Sequence, residues 1–209
     1  MCNLYKLRRS AEEIAHLFGA SARPGANFAD EVYPGYSGLV VAEGEARAMT
    51  WGFPLERTGK RGKPLKPKAV TNAREDKLHT SFWRSSFASR RCLIPVTAWA
   101  EAEGPAGRMM RTWYAVRGLE TFAVAGVWRP TASWGDSYAM VMVDGSHHMA
   151  DVHDRMPVIV PASDWEAWQH GSPEEAFALC RTWQVPLEVE RTAERWASRP
   201  ATVQCGQLL

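Results

Sequence analysis

Four cysteines, Cys2, Cys92, Cys180 and Cys205, stand far apart in a chain of 209 residues, and no two form a C-x-x-C pair. That spacing argues against a cysteine zinc site, and a chain of this size needs no disulfide framework to hold its core. No apolar run approaches the ~18 residues that span a bilayer. Only Met1 precedes Cys2, which leaves no place for a signal-peptide core or a lipidated cysteine. The expected setting is therefore the reducing cytoplasm, with no membrane partner. Charge of one sign is not in excess either: the formal net charge is +2, too mild by itself to name a polyanion as partner. Internal repeats are absent, and one domain over 1–209 is expected.

What the chain does have is ordinary globular patterning with an excess of tryptophan. Hydrophobic residues make up 45% and charged residues 23%, enough for a sizeable core. The ten tryptophans suit a core or a base-stacking surface, so their number assigns neither role. Ser10-Ala11-Glu12-Glu13 is a capping box, after which Ile14, Leu17 and Phe18 share one helical face that Gly19 ends. Residues 37–42, the turn Glu43-Gly44-Glu45 and residues 46–51 predict a hairpin. Further strands are expected over 91–96, 112–116, 122–128, 138–143 and 158–160, and helices around 81–88, 163–169 and 173–180. Residues 198–209 read as irregular. Many short strands with a few peripheral helices predict a β-dominated α+β fold of barrel-like mixed sheets.

Composition shifts abruptly over 57–68. Arg57, Lys60, Arg61, Lys63, Lys66 and Lys68 crowd into a Gly- and Pro-rich stretch without an acidic residue. It reads as a loop, either simply solvated or serving as an arm for phosphates.

The start of the chain carries the sharpest chemistry. Initiator methionine is normally trimmed before a residue as small as cysteine, which leaves Cys2 with an α-amine and a thiol on adjacent carbons. The amine titrates near ~8 and the thiol near ~8.5, so both are partly nucleophilic at neutral pH. Such a pair condenses with an aldehyde to an imine, which the sulfur closes to a thiazolidine. Glu101, placed after a buried strand and a short turn, gains a pKa near neutrality if buried and then shuttles protons. Asn72 offers a donor and an acceptor without charge, and His153 titrates near neutral pH. Arg74 and Arg155 are suited to grip a phosphate bidentately. Taken singly, each also fits a plain role as turn residue, surface charge or strand cap.

Met1-Cys2-Asn3-Leu4-Tyr5, Trp51-Gly52-Phe53-Pro54, Asn72-Ala73-Arg74-Glu75, Arg91-Cys92-Leu93-Ile94-Pro95 with Glu101, Ala125-Gly126-Val127-Trp128 and His153-Asp154-Arg155-Met156-Pro157 follow one another within residues 1–161. In that order they resemble the SOS response-associated peptidase (SRAP) family, the abasic-site processing proteins. The resemblance implies a protein that binds single-stranded DNA at an abasic site and links its N-terminal cysteine to the ring-opened sugar as a thiazolidine. Carried over, Cys2 is the nucleophile, Asn72 positions the amine or sugar, Glu101 is the acid/base, and His153 assists ring opening or reversal. Arg74 becomes a backbone contact, and Trp51 belongs to the stretch that shapes the DNA groove, unless it is a core tryptophan. Lys60, Arg61 and Lys63 join as basic contacts. The chain departs from the family pattern at 96–102, at Arg129 and Met142, and from about Pro186 onward.

Other readings use the same residues. A cysteine peptidase would set Cys2 with His153 and Glu101. A zinc site from His147, His148, Asp151 and His153 is poor geometry, because adjacent residues on a strand face opposite ways. A plain single-strand binder would tolerate Cys2→Ala. The expectation is a monomer with no metal and no cofactor.

Overall fold

The computed structural model describes residues 2–196; the irregular tail expected over 198–209, and Cys205 with it, lies outside the described residues. The chain enters through β1 (Tyr5–Lys6) and helix α1 (Ala11–Phe18), whose capping box joins Ser10 and Glu13 as the sequence indicates. Short strands β2 (Ser21–Ala22) and β3 (Glu31–Val32) precede the hairpin of β4 (Ser37–Ala42) and β5 (Glu45–Trp51). Glu43 (φ 53°) and Gly44 (φ 76°) both take positive φ, the two-residue turn that matches the twist of paired strands.

Next come β6 (Phe53–Thr58), β7 (Pro64–Val70), β8 (Asn72–Arg74), helix α2 (Arg84–Ser89), β9 (Arg91–Val96), β10 (Ala98–Glu103) and β11 (Met110–Val116). The long pair β12 (Phe122–Thr131) and β13 (Gly135–Asp144) leads to β14 (Arg155–Pro157) and β15 (Ile159–Val160). Helices α3 (Trp165–His170) and α4 (Pro173–Ala178) and the strand β16 (Leu187–Arg195) follow.

Five of these strands close into a barrel. β13, β12, β9, β4 and β5 pair in that order, and β5 returns to β13 through the parallel pairs Thr50–Ser137 and Trp51–Tyr138. Every residue of β9 is buried, as a strand covered on both faces requires. α2 and α3 are tied to this strand by the Arg91 guanidinium. It donates to the carbonyls of Phe87 (2.7 Å), Ala88 (3.2 Å) and Trp168 (2.5 Å) and also to that of Gly171. Those carbonyls lie at helix ends, where no intrahelical donor reaches them. A second sheet, in the order β16-β11-β10-β1-β3, lies beside the barrel, and β6 and β7 form a separate two-stranded ribbon. No helix among the described residues is long and apolar enough to cross a membrane.

The structure corrects three local expectations. Residues 98–103 are not a turn: after a single bend at Thr97 they form β10, paired on one side with β1 and on the other with β11. Trp99, Ala100 and Glu101 all lose their solvent there, and the two neighbouring strands satisfy the backbone that burial would otherwise orphan. The stretch 57–68 is mostly a ribbon rather than a loop, with a turn at Lys60–Gly62 where Arg61 (φ 62°) and Gly62 (φ 74°) reverse the chain. Pro54, Pro64 and Pro67 are tolerated because each strand of a two-stranded ribbon has a free edge, so a missing N–H need cost no ladder bond. Finally, β16 continues the second sheet where the sequence shows only alternating charge; eight of its nine residues keep some exposure to solvent.

Candidate functional site

Backbone pairing places the chain start. Ala100 N–H donates to the Leu4 carbonyl at 2.9 Å, and Tyr5 pairs with Trp99. The first residues are thereby carried along β10 toward Glu101. From the other side comes β8, which pairs in parallel with β13 through Asn72–Met140 and Arg74–Met142. Asn72 Nδ2 donates to the Cys2 carbonyl at 2.8 Å and to Thr71 Oγ1 at 2.9 Å, and Thr71 Oγ1 donates to Asn3 Oδ1 at 3.4 Å. A backbone carbonyl only accepts, so these contacts fix which end of the Asn72 amide faces Cys2. Its Oδ1 is buried and has no hydrogen-bond partner among the described residues.

Cys2, Asn72 and Glu101 thus meet from three segments distant in sequence. Glu101 is 2% exposed. Burial lifts its carboxyl from the usual range to about 7, against the pull of the positive chain terminus. At neutral pH it exists in both forms, as a group that must give and take a proton requires. The Cys2 side chain is fully buried, whereas the aldehyde chemistry expected from the sequence needs its thiol and amine open to a sugar carbonyl. Burial raises its thiol well above the ordinary value, and the Glu101 charge adds to that. Sγ reaches the Leu4 carbonyl at 3.6 Å.

His153 lies in the turn before β14. Its Nδ1 accepts from the Arg155 backbone N–H at 3.0 Å, which places the proton of the neutral ring on Nε2. Its pKa is depressed, first by burial and next by the terminal ammonium. Both His153 and Glu101 therefore feel the charge of the chain start.

Near Cys2 lies a buried tyrosine pair of which only Tyr5 falls in a sequence motif. The hydroxyls of Tyr5 and Tyr138, both fully buried, make a short hydrogen bond. A Cβ on Gly38 would collide with both oxygens, so the pair requires glycine at that position.

The basic residues fall into three settings. Arg74 is exposed, but Asp76 holds its guanidinium in a fork at 2.9 and 2.8 Å. Arg155, expected to grip a phosphate, is bonded to Glu75 at 3.3 Å and paired with Asp144 at 3.2 Å, where it links β14 to the turn after β8. Lys60, Arg61 and Lys63 lie at the turn end of the ribbon, where all three are exposed. Trp51 is not part of a groove. It is fully buried, with Nε1 donating to the Thr71 carbonyl at 3.2 Å and its ring edge-on to Tyr5 at 5.1 Å. Ring size and the partnered N–H make it a core residue that braces the Thr71–Asn72 corner.

His147 and His148 lie ring against ring at 3.8 Å, and no cluster of three or more His, Cys, Asp or Glu among the described residues is arranged to hold a metal ion. Two departures from the family pattern find a place in the fold. Met142 is buried and pairs with Pro157. Arg129 lies over the rings of Phe53 at 4.0 Å and Phe82 at 4.7 Å and donates to the Phe82 carbonyl at 3.1 Å.

A closed five-stranded barrel flanked by a second sheet, with a cysteine near the chain start held by an amide beside a buried carboxyl, defines a recognisable class. The chain belongs to the SOS response associated peptidase (SRAP) family, whose model matches residues 1–195. The match runs beyond the motifs, takes in β16 and ends at residue 195. Membership ties the chain to a family named for the SOS response to DNA damage. Solved structures agree on the fold. A Bordetella bronchiseptica protein has a TM-score of 0.76 at 22% identity, with 91% of this chain and 99% of that one covered. A Bacteroides thetaiotaomicron protein has 0.75 at 16%, with 91% of both chains covered. A phage-related protein of Bordetella bronchiseptica has 0.65 at 19%, covering 91% and 94%. No curated protein sequence matches.

Proposed function

We propose that the protein binds single-stranded DNA at abasic sites and joins Cys2 to the opened sugar as a thiazolidine, which shields the lesion. The observation that supports this most directly is the grip of Asn72 on the Cys2 carbonyl beside a buried Glu101 whose pKa is about 7. Burial keeps the thiol protonated, so the α-amine exposed by loss of Met1 acts first. It adds to the aldehyde carbon, and Glu101 as the acid protonates the departing oxygen, which leaves as water. The resulting iminium carbon then accepts the sulfur, whose proton passes to the Glu101 carboxylate. Aldehyde and aminothiol thus become thiazolidine and water, and Glu101 ends as it began. His153 Nε2–H is a donor for the sugar oxygen during ring opening.

A peptidase reading needs a thiolate activated by imidazole. Burial and the Glu101 charge both push the Cys2 thiol the other way, which favours the aldehyde chemistry. The buried sulfur sets one requirement: loss of Met1 or movement of the chain start must uncover it.

The test is incubation of the purified protein with a single strand carrying one abasic site. A heat-stable species of slower mobility is expected, absent with Cys2→Ser and absent when a residue placed before Cys2 blocks its amine. Failure of the native protein to form it, with Cys2 shown by mass to be the first residue, rejects the reading.

A further inference from the structure

Asn72 directs its whole donor capacity at the chain itself. A primary amide has two N–H donors, and Nδ2 gives one to the Cys2 carbonyl at 2.8 Å and the other to Thr71 Oγ1 at 2.9 Å. Thr71 Oγ1 in turn donates to Asn3 Oδ1 at 3.4 Å. Asn3 follows Cys2 in the chain, so these contacts and the Cys2–Asn3 peptide form a closed ring. That one peptide unit is held at two points, its carbonyl by Asn72 and the side chain beyond it by Thr71.

Thr71 is the link between this ring and the barrel. It is buried, and its carbonyl accepts from the Met140 backbone N–H at 2.9 Å and from Trp51 Nε1 at 3.2 Å. Its methyl is seated over Gly52, where an added Cβ would come within 3.2 Å of Thr71 Cγ2 and 2.7 Å of the Ala69 Cβ. A β-branched side chain has few χ1 choices, so the seated methyl aims the hydroxyl at Asn72.

We propose that Thr71 and Asn3 are positioning residues that, with Asn72, fix the Cys2–Asn3 peptide as a pivot for the reacting residue. The Cys2 amine and sulfur swing about the Cα–C bond while the peptide stays in place. The inference rests on the abasic-site reading above and adds two residues to its site, neither of which needs to touch the sugar. A fixed pivot lets the sulfur be uncovered while the amine keeps its place beside Glu101, and such placement governs rate steeply. The two links differ in strength. The Asn72–Thr71 bond is buried and of ordinary length, whereas the Thr71–Asn3 contact is long for a hydroxyl donor, so Thr71 matters more than Asn3.

The test takes two readouts on the full chain. Labelling by a small neutral maleimide, read from the mass of each cysteine peptide, compares Cys2 with Cys92, which is buried in the barrel and reports general loosening. Thr71→Val keeps the methyl and removes the hydroxyl. Loss of that buried hydrogen bond is expected to raise the Cys2-to-Cys92 labelling ratio about tenfold. With saturating single strand carrying one abasic site, the same variant is expected to crosslink about tenfold more slowly. Its affinity for a strand with tetrahydrofuran at that site, which has no aldehyde, should stay within about twofold of native. Thr71→Ser should restore both readouts, and Asn3→Ala should shift both by about threefold. In an Asn72→Ala background, Thr71→Val should add no more than about twofold. A labelling ratio or crosslinking rate unchanged by Thr71→Val overturns the proposal, as does a serine variant as impaired as the valine one. Equal gains in labelling at Cys92 also overturn it, since they make Thr71 a general packing residue. A native protein that never crosslinks rejects the abasic-site reading, and the labelling arm then decides the pivot by itself.

Discussion

The Cys2 pocket and the β6–β7 ribbon share a border at Asn72 and Leu55, yet they are built on opposite rules. In the pocket, side chains are held from several directions and nearly all solvent is gone: Cys2 is 0%, Glu101 2% and Asn72 9% exposed. On the ribbon the cations face water, beyond an apolar base of Phe53, Leu55 and Val70. Low dielectric in the first region magnifies each charge, which is how one carboxyl there comes to titrate near 7. Water and salt mute each charge in the second, so its cations act by number rather than by placement. Substitutions in the pocket should therefore change the reaction, and substitutions on the ribbon should change how DNA is collected.

Glu101→Gln gives the largest expected effect and separates chemistry from stability. The folded pKa is about 7 against an ordinary 4.5, so folding favours the protonated form. The stability this provides is full below the unfolded value and is lost as pH rises through about 7. The gap corresponds to ~3 kcal/mol at most. Glutamine removes that cost, so at a pH of about 8 the variant should unfold at higher denaturant than the native protein while crosslinking falls ~100-fold or more. In acid the stability gain should vanish. A variant that is both slower and less stable at alkaline pH would make Glu101 a packing residue and nothing more.

The ribbon should respond in the other way. Replacing Lys60, Arg61 and Lys63 together by alanine is expected to leave the crosslinking rate at saturating DNA unchanged. It should also flatten the dependence of log affinity on log salt, by ~0.7 for each phosphate that is no longer neutralised. A slope equal to that of the native protein would place the DNA elsewhere.

The same contrast explains what the sequence discloses. The β4–β5 hairpin is legible because apolar runs flank a turn whose glycine marks it, and α1 is legible from its capping box. Cys2 stands out by its place behind a methionine that is normally trimmed, whereas Asn72, Glu101 and His153 stand out only through the order of motifs, since no local period links them. Burial of Cys2 is not legible, because it arises when β1, β8 and β10 converge from far-apart segments. β10 escapes notice because Trp99, Ala100 and Glu101 are all buried and give no alternation to read. β16 escapes for the opposite reason: its outward charges hide the pairing of Leu187 with Val116 and Glu190 with Trp113. Gly-, Pro- and Lys-rich composition disguises the ribbon as a loop. The motif containing Trp51 is readable as a motif, but the side chain points inward, a choice that only the packing around Thr71 makes.

The smallest effect falls on the border between the two regions. Asp76 occupies the Arg74 guanidinium in the two-point geometry that a phosphate would use, and Lys77 approaches the same carboxylate at 3.5 Å. Slight desolvation raises the Asp76 pKa, but Arg74 and then Lys77 more than reverse this and hold it below the usual carboxylate value. The carboxylate therefore remains charged through the neutral range and competes with any phosphate that reaches Arg74. Exposed pairs of this kind are weak, so displacement is easy and the competition modest. Asp76→Asn is expected to tighten binding of single-stranded DNA about threefold at low salt, with the gain fading as salt screens both partners. Arg74→Gln should weaken binding and erase the effect of Asp76→Asn when the two are combined. An Asp76→Asn gain that persists in the Arg74→Gln background would mean that Asp76 repels the strand generally rather than occupying the phosphate's place on Arg74.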